Sequence, residues 1–164
     1  MIKKSIMTLA LSLVLLLPFS LHAKEKYWYN YDHLYFQTGT YFHFGGDDDK
    51  DYAGPRIFTS LEAVKANNWL YGLSLFNNSF GQFSQYMYGG KSWNYHGNWQ
   101  DFHTKVTMGL IHGYKDEFED KIPLNDFGFA PAIIPSIGYK KNAFGFDTIL
   151  LGFNAVLFTI GMDI

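Results

Sequence analysis

Apolar and polar side chains alternate along most of the chain after residue 30, and this period of two predicts strands. Residues 101–111 show it best: Phe102 to Leu110 place apolar groups on one face, while Asp101, His103 and Lys105 begin the other. Short segments rich in Gly, Asn and Lys separate the alternating runs. We predict eight strands, at about 33–44, 56–64, 69–77, 83–93, 101–111, 128–139, 143–151 and 155–164.

Eight such segments predict an all-β fold, an eight-stranded antiparallel up-and-down transmembrane β-barrel. Outer-membrane barrels have an even number of strands, starting from eight, with about 9–11 residues in the membrane. The 16 Phe, 12 Tyr and 4 Trp of the chain suit aromatic girdles at the two interfaces. Alternation alone does not say which face is inside, so a soluble barrel or sandwich with a polar exterior is the alternative.

The first 23 residues have the pattern of a signal peptide. Lys3 and Lys4 precede an apolar run that is short for a spanning helix, and Ala23 suits the last position of a leader. An uncleaved N-terminal anchor is the alternative. We expect residues 24–164 to form a single barrel domain in the outer membrane of a Gram-negative bacterium.

Composition removes several classes of function. The chain has no Cys, so disulfide frameworks, thiolate zinc sites and Cys nucleophiles are excluded. Its 13 Lys and Arg against 15 Asp and Glu give no basic surface for nucleic acid. The dispersed His and acidic residues show no metal-ligand spacing. We expect no metal, no cofactor and a monomer.

The inward face of the predicted barrel changes character with depth. Near the chain termini it carries Asp101, His103, Lys105, Asp147 and Asp163, which we expect to pair because unpaired charge in a barrel interior is costly. Towards the other end the inward positions are small or apolar, and they predict either close packing or a cavity for an acyl chain: Gly109, Ile111, Ala130, Ala132, Ile149, Leu151 and Leu157.

Two prolines interrupt the sixth predicted strand. Pro131 and Pro135 each lack the N–H that a ladder needs, so the strand pairs weakly with one neighbour. Such a seam would admit a lipid tail sideways, or it would mark a bulge.

A histidine and a serine fall at the same predicted end of the barrel. His43 lies on the inward face at the end of the first strand, and Ser79 lies in the turn after the third. A His within reach of a Ser hydroxyl serves as general base in acyl transfer. The alternative is a turn serine beside an interfacial histidine.

Three stretches carry a resemblance to a known family. They are Tyr41-Phe42-His43, the segment from Gly72 to Phe80, and residues 101–139 with Phe102-His103, Lys121-Ile122-Pro123-Leu124 and Pro135-Ser136-Ile137-Gly138-Tyr139. At these residues the chain resembles the PagP family of outer-membrane lipid A palmitoyltransferases. The resemblance implies an eight-stranded barrel with a hydrocarbon-sized lumen and proline-weakened lateral openings, which moves a palmitoyl chain from a phospholipid to lipid A.

The resemblance also implies roles for single residues. His43 would be the base and Ser79 its hydroxyl partner. Asn78 stands where the family has Asp and would orient groups by hydrogen bonds or donate to an oxyanion. Pro123, Pro131 and Pro135 would mark lateral access. The expected partners are a phospholipid donor and a lipid A acceptor. The alternative function is a non-catalytic small outer-membrane barrel that binds lipid or serves a structural or transport role.

Overall fold

Eight strands make up most of the described chain. The structure is a computed structural model that describes residues 30–44, 56–153 and 155–164. Two short 3-10 helices, Gly97–Trp99 and Asp116–Lys121, lie in the connections. The strands are β1 (His33–His43), β2 (Phe58–Val64), β3 (Trp69–Asn77), β4 (Phe83–Asn94), β5 (Phe102–His112), β6 (Phe129–Lys141), β7 (Phe144–Leu151) and β8 (Ala155–Asp163).

Each strand pairs antiparallel with the next, and β1 closes on β8 from Tyr35↔Asp163 to His43↔Ala155. The predicted eight-stranded antiparallel barrel is therefore confirmed. Strand ends differ from the prediction by up to two residues. For example, β2 begins at Phe58 rather than Arg56, because the regular pairs with β3 start at Phe58↔Phe76. The predicted signal peptide and the acidic segment 45–55 lie outside the described residues.

The exterior of the barrel is apolar, and the interior holds buried polar and charged side chains. Met108, Ile133 and Ile160 are each more than 60% exposed, whereas Glu62 and Asp147 are buried. In water such a continuous apolar belt would drive association, but in a bilayer it faces lipid. The inverted distribution decides against the soluble barrel. Among the described residues, no helix has the length and apolarity to cross a membrane.

The two ends of the barrel differ in their connections. The terminal rim is the end with the turns 65–68, 95–101 and 142–143, next to residues 31–32 and 164. The loop rim is the opposite end, with the connections 44–57, 78–82, 113–128 and 152–154. The terminal rim carries exposed aromatic side chains, as at a membrane interface: Trp69, Trp93, Tyr95, Trp99 and Phe144.

Candidate active site at the loop rim

The two residues that the sequence singled out for acyl chemistry are in contact. His43 is the last residue of β1, and Ser79 lies in the tight turn between β3 and β4. The His43 Nε2 and Ser79 Oγ atoms are 2.9 Å apart, and both residues are half-buried. This distance is short enough for a proton to pass between them. The structure brings the two residues into contact, and their catalytic role stays a prediction.

Asn78 lies in the turn where the sequence placed it, but its amide contacts the surrounding chain and does not face the reacting pair. Its side chain is buried and bonded to the turn on every side: Oδ1 accepts from the backbone N–H groups of Phe80 and Gln82. Its Nδ2 donates to the Gln82 side chain at 3.2 Å and to the Gly113 carbonyl at 3.3 Å. These four bonds use the donor and acceptor capacity of the amide. Asn78 therefore shapes the turn that presents Ser79, and no polar atom of it is left for substrate.

Aromatic side chains surround the pair. The Tyr41 ring meets the His43 ring edge-on, with centroids 5.4 Å apart, and its hydroxyl donates to the Asn77 carbonyl at 3.0 Å. The Arg56 guanidinium lies 6.0 Å from the centre of the Tyr41 ring. A cation at this rim is suited to a lipid phosphate. Neither Tyr41 nor Arg56 was predicted as part of the site, although Tyr41 shares the inward parity of His43.

The loop from β5 to β6 covers one side of the turn. Phe80 stacks on Phe118 with ring centroids 4.2 Å apart, and Tyr114 meets Phe80 edge-on. Burial, and then the nearby Tyr41 hydroxyl, raises the pKa of Tyr114 to about 12. Its phenol is therefore neutral wherever a histidine is active as a base.

Below the pair, an apolar layer closes the barrel. Tyr41, Ile149 and Leu157 form a buried cluster, on which Phe58, Ile134 and Leu151 pack. Next to this layer lies a loop-side chamber of about 40 Å³, lined on one side by Ile149, Leu151 and Leu157. A water molecule needs roughly 10–15 Å³ of such space, so the chamber has room for about three. A sixteen-carbon chain does not fit without rearrangement of the interior side chains.

The other four residues predicted for the acyl cavity do not line this chamber. Ile111 and Ala132 pack against the buried cluster of Leu70, Tyr86 and Tyr88, and Ala130 has no exposed surface. Gly109 lies where β4 approaches so closely that a side chain would clash with the Met87 backbone. Acyl-chain binding by the seven residues stays a prediction, and three of them border the space that exists.

The proline-containing strand has a seam on one side. Its ladder with β5 is continuous from Phe102↔Tyr139 to His112↔Phe129, whereas its ladder with β7 stops at Ser136↔Ile149. Pro135 directly precedes the stop, and Pro131 lies four residues further along the unpaired part of β6. Pro131 and Pro135 are an even number of residues apart, so the backbone N–H groups that they lack would point to the same neighbouring strand. Ile134 and Leu151 flank this seam and also line the chamber.

Pro123 lies elsewhere. It is exposed in the loop between β5 and β6, after the 3-10 helix Asp116–Lys121, and so it is not part of the barrel wall. It lies in the long connection between these strands, and the Lys121–Leu124 motif alone does not show this position. Pro123 therefore cannot weaken a ladder, and the lateral seam is limited to Pro131 and Pro135.

The terminal half of the interior holds buried ion pairs. His103 Nε2 lies 2.9 Å from Asp147 Oδ1, and Lys105 Nζ donates to both oxygens of Glu62 at 2.9 and 3.0 Å. Four of the five charged residues expected to pair do so, and the partner of Lys105 is Glu62, which the sequence analysis did not single out. The fifth, Asp101, instead accepts a hydrogen bond from the Tyr139 hydroxyl at 3.4 Å. The parity of Glu62 with Ser60 in the second predicted strand was the available signal. Nearer the rim, Lys140 Nζ donates to Asp163 at 2.7 Å.

The part of the chain that the structure describes has no group of three His, Cys, Asp or Glu side chains able to hold a metal ion.

The arrangement at the loop rim offers a hydroxyl, an imidazole and a nearby guanidinium. A hydroxyl beside an imidazole is the pair of groups that acyl transfer through a serine ester uses.

Comparisons with known proteins support the fold and go no further. No protein-family model matches the chain, and no curated protein matches it. A solved structure described as "De novo design of transmembrane beta-barrels" is similar, with a TM-score of 0.56 over 82% of this chain and 98% of that chain. Its sequence identity is 11%, so the likeness concerns the transmembrane barrel alone.

Proposed function

We propose that this membrane barrel is an acyltransferase whose reacting groups are Ser79 and His43. The observation that carries the proposal is the 2.9 Å contact between Ser79 Oγ and His43 Nε2 at the rim of a lipid-facing barrel. A site at this level meets the ester and headgroup region of a membrane lipid rather than the middle of its acyl chains. The proposed donor is a phospholipid, and the proposed acceptor is lipid A in the outer membrane of a Gram-negative bacterium.

The chemistry balances with these two side chains. His43 Nε2 takes the proton of Ser79 Oγ as that oxygen attacks the ester carbonyl of the donor. The ester bond breaks, and the lysophospholipid oxygen leaves with the proton from His43. An acceptor hydroxyl then attacks the ester on Ser79, its proton passes to His43, and Ser79 regains a proton as its ester bond breaks.

The seam between β6 and β7 supports lateral entry of the donor tail. The β6–β7 ladder stops at Ser136↔Ile149, and Ile134 and Leu151, which flank the unpaired part, also line the chamber. Because the chamber holds about 40 Å³, most of a palmitoyl-length tail stays in the seam and the bilayer unless side chains rearrange. Arg56, whose guanidinium lies 6.0 Å from the centre of the Tyr41 ring, is suited to hold a donor or acceptor phosphate at the loop rim.

One observation favours a second candidate, a non-catalytic barrel with a structural or transport role. Asn78 replaces the carboxylate of the family that the sequence resembles, and its amide is used by the turn. The His43 ring then has no carboxylate from this position to orient it. A barrel that kept the fold and lost the chemistry would have this arrangement.

Lipid A mass spectrometry separates the two candidates. The full chain is expressed in a Gram-negative host that lacks its own lipid A palmitoyltransferase. We expect a palmitate-sized mass increase that falls by about 100-fold or more in Ser79→Ala and His43→Ala, since both groups act as one unit.

Matched controls use the same residue types far from the site. Ser92→Ala and His96→Ala lie at or near the terminal rim, and we expect full activity from both. Heat-dependent gel mobility verifies that each variant is folded in the membrane. Unchanged lipid A with folded wild-type protein would remove the transferase proposal and leave the non-catalytic barrel.

A further inference from the structure

The buried ion pair of Glu62 and Lys105 lies at a boundary inside the barrel. Towards the terminal rim there is a second space, the terminal vestibule, of about 220 Å³. Glu62 and Lys105 line both this vestibule and the loop-side chamber. On β2, Ser60 lines only the chamber and Val64 lines only the vestibule. On β5, Thr107 lines only the chamber and His103 lines only the vestibule. The ion pair is therefore the partition between the two spaces.

Stability alone does not account for a charged partition at this depth. Both side chains are buried, and the Tyr88 hydroxyl donates to the same Glu62 carboxylate at 3.0 Å. Replacing a buried pair by packed apolar residues is often neutral or stabilising. Ionisable groups at membrane depth in a protein interior commonly mark a path for ions or protons.

Both spaces have polar walls from which a path could be formed. The vestibule is lined by amides and charged groups, among them Asn68, Asn94 and Asp101. The chamber has polar groups next to the ion pair and apolar groups towards the loop rim. Its polar lining consists of Gln37, Ser60, Ser74, Thr107 and Ser136.

We propose that the barrel is a gated pore for small inorganic ions, closed in this conformation by the Glu62–Lys105 pair and, in series, by the apolar layer around Leu157. When Lys105 leaves Glu62, the vestibule and the chamber become one continuous polar space. The apolar layer is then the remaining barrier, and a layer of this kind opens when it is wetted.

The test is conductance of the purified full chain in planar bilayers bathed in potassium chloride. Glu62→Gln and Lys105→Gln remove one charge each, and we expect the mean conductance to rise by at least about tenfold over wild type, since each leaves one group of the pair unpartnered. The exchange variant Glu62→Lys with Lys105→Glu rebuilds the pair and should return conductance to the wild-type level. Leu157→Ser, added to each single variant, should raise conductance further.

Lys91→Gln is the matched control, because Lys91 lines neither the vestibule nor the chamber. Its ammonium lies 5.4 Å from the centre of the exposed Trp69 ring at the terminal rim, so its loss should leave conductance unchanged. If folded Glu62→Gln and Lys105→Gln proteins conduct no more than wild type, also with Leu157→Ser, the ion pair is packing and the pore proposal is wrong. An equal rise in Lys91→Gln would also overturn it. Neither result depends on acyl transfer.

Discussion

The loop half and the terminal half of the barrel interior differ in chemical character. In the loop half, Tyr41, Ile149 and Leu157 pack as an apolar layer under the Ser79–His43 pair. In the terminal half, ion pairs such as Lys105 with Glu62 border the vestibule. The exterior is apolar at both levels, so this difference does not come from contact with the membrane.

The difference shows what each half contributes. Dispersion contacts hold together the apolar layer of the loop half. The ion pairs cost desolvation and need fixed geometry, so they specify register more than they stabilise. Removing one partner of a charged pair should therefore strongly lower the free energy of unfolding. In the apolar layer, the loss of free energy should grow with the volume of side chain removed.

The largest expected effect is on the charged half. Lys105→Met leaves the buried Glu62 carboxylate without its cation, and we expect a loss of about 3–5 kcal/mol in the free energy of unfolding. The double variant Lys105→Met with Glu62→Leu removes both charges and should recover to within about 1 kcal/mol of wild type. Urea unfolding in phospholipid vesicles measures both. A double variant as unstable as the single would mean that the pair itself stabilises the fold.

The apolar half should respond to volume. Leu157→Ala removes a fully buried side chain beside an existing chamber, and we expect a loss of about 2–4 kcal/mol in the free energy of unfolding. Leu150 faces lipid on the adjoining strand, and lipid tails refill the space that Leu150→Ala vacates. That control should lose less than about 1 kcal/mol. The same vesicle unfolding measurement compares them, and equal losses would show that the interior layer is no better packed than the lipid boundary.

Much of this comparison could be predicted from the sequence, because strand parity fixes which side chains share a face. His103, Lys105 and Asp147 were placed inward by alternation, and the structure pairs all three. Alternation placed His43 and Ser79 at the same end of the barrel, and the structure adds that the two side chains are in contact.

Other features depend on distances between strands that alternation does not encode. Lys105 and Glu62 are distant in sequence, and only barrel closure brings them together. The small volume of the chamber depends on side-chain rotamers, including the stacked rings of Tyr86 and Tyr88. Prolines predicted a weak seam in β6, but the continuous ladder to β5 was needed to place that seam on the β7 side.

A smaller effect concerns the turn that presents Ser79. Asn78→Asp loses the two N–H donors that reach Gly113 and Gln82, and it brings a buried carboxylate towards those acceptors. We expect a loss of about 1–3 kcal/mol in the free energy of unfolding and no gain in lipid A acylation. Unfolding in vesicles and lipid A mass spectrometry are measured on the same variant. A rise in acylation at unchanged stability would assign Asn78 to the chemistry instead of the turn.

Two glycines, one inside the charged half and one on the exterior, give another test by substitution with alanine. A side-chain carbon at Gly138 would clash with the His103 ring and the Asp147 carboxylate. Gly138→Ala should therefore lower the free energy of unfolding by about 1–3 kcal/mol. Gly89 faces outward, and its nearest neighbouring atom would lie at 3.7 Å, so Gly89→Ala should change stability by less than about 0.5 kcal/mol. Similar unfolding curves for the two would mean that the ion pair of His103 tolerates displacement.

The smallest expected effect is on how stability at the loop rim depends on pH. Burial of the Tyr114 phenol at the loop rim raises its pKa to about 12, above the value near 10 of an unfolded tyrosine. Because the folded state holds this proton more tightly, its contribution to stability is complete below pH 10 and is lost as pH rises from 10 to 12. Tyr114→Phe has no phenol to ionise, so its stability should fall less steeply with pH in that interval. Vesicle unfolding at several pH values, with absorbance at the phenolate band to follow ionisation, measures the difference between the two proteins. Parallel stability curves from pH 9 to 12 would show that the phenol is exposed to solvent and that the aromatic cover over the Ser79 turn is open.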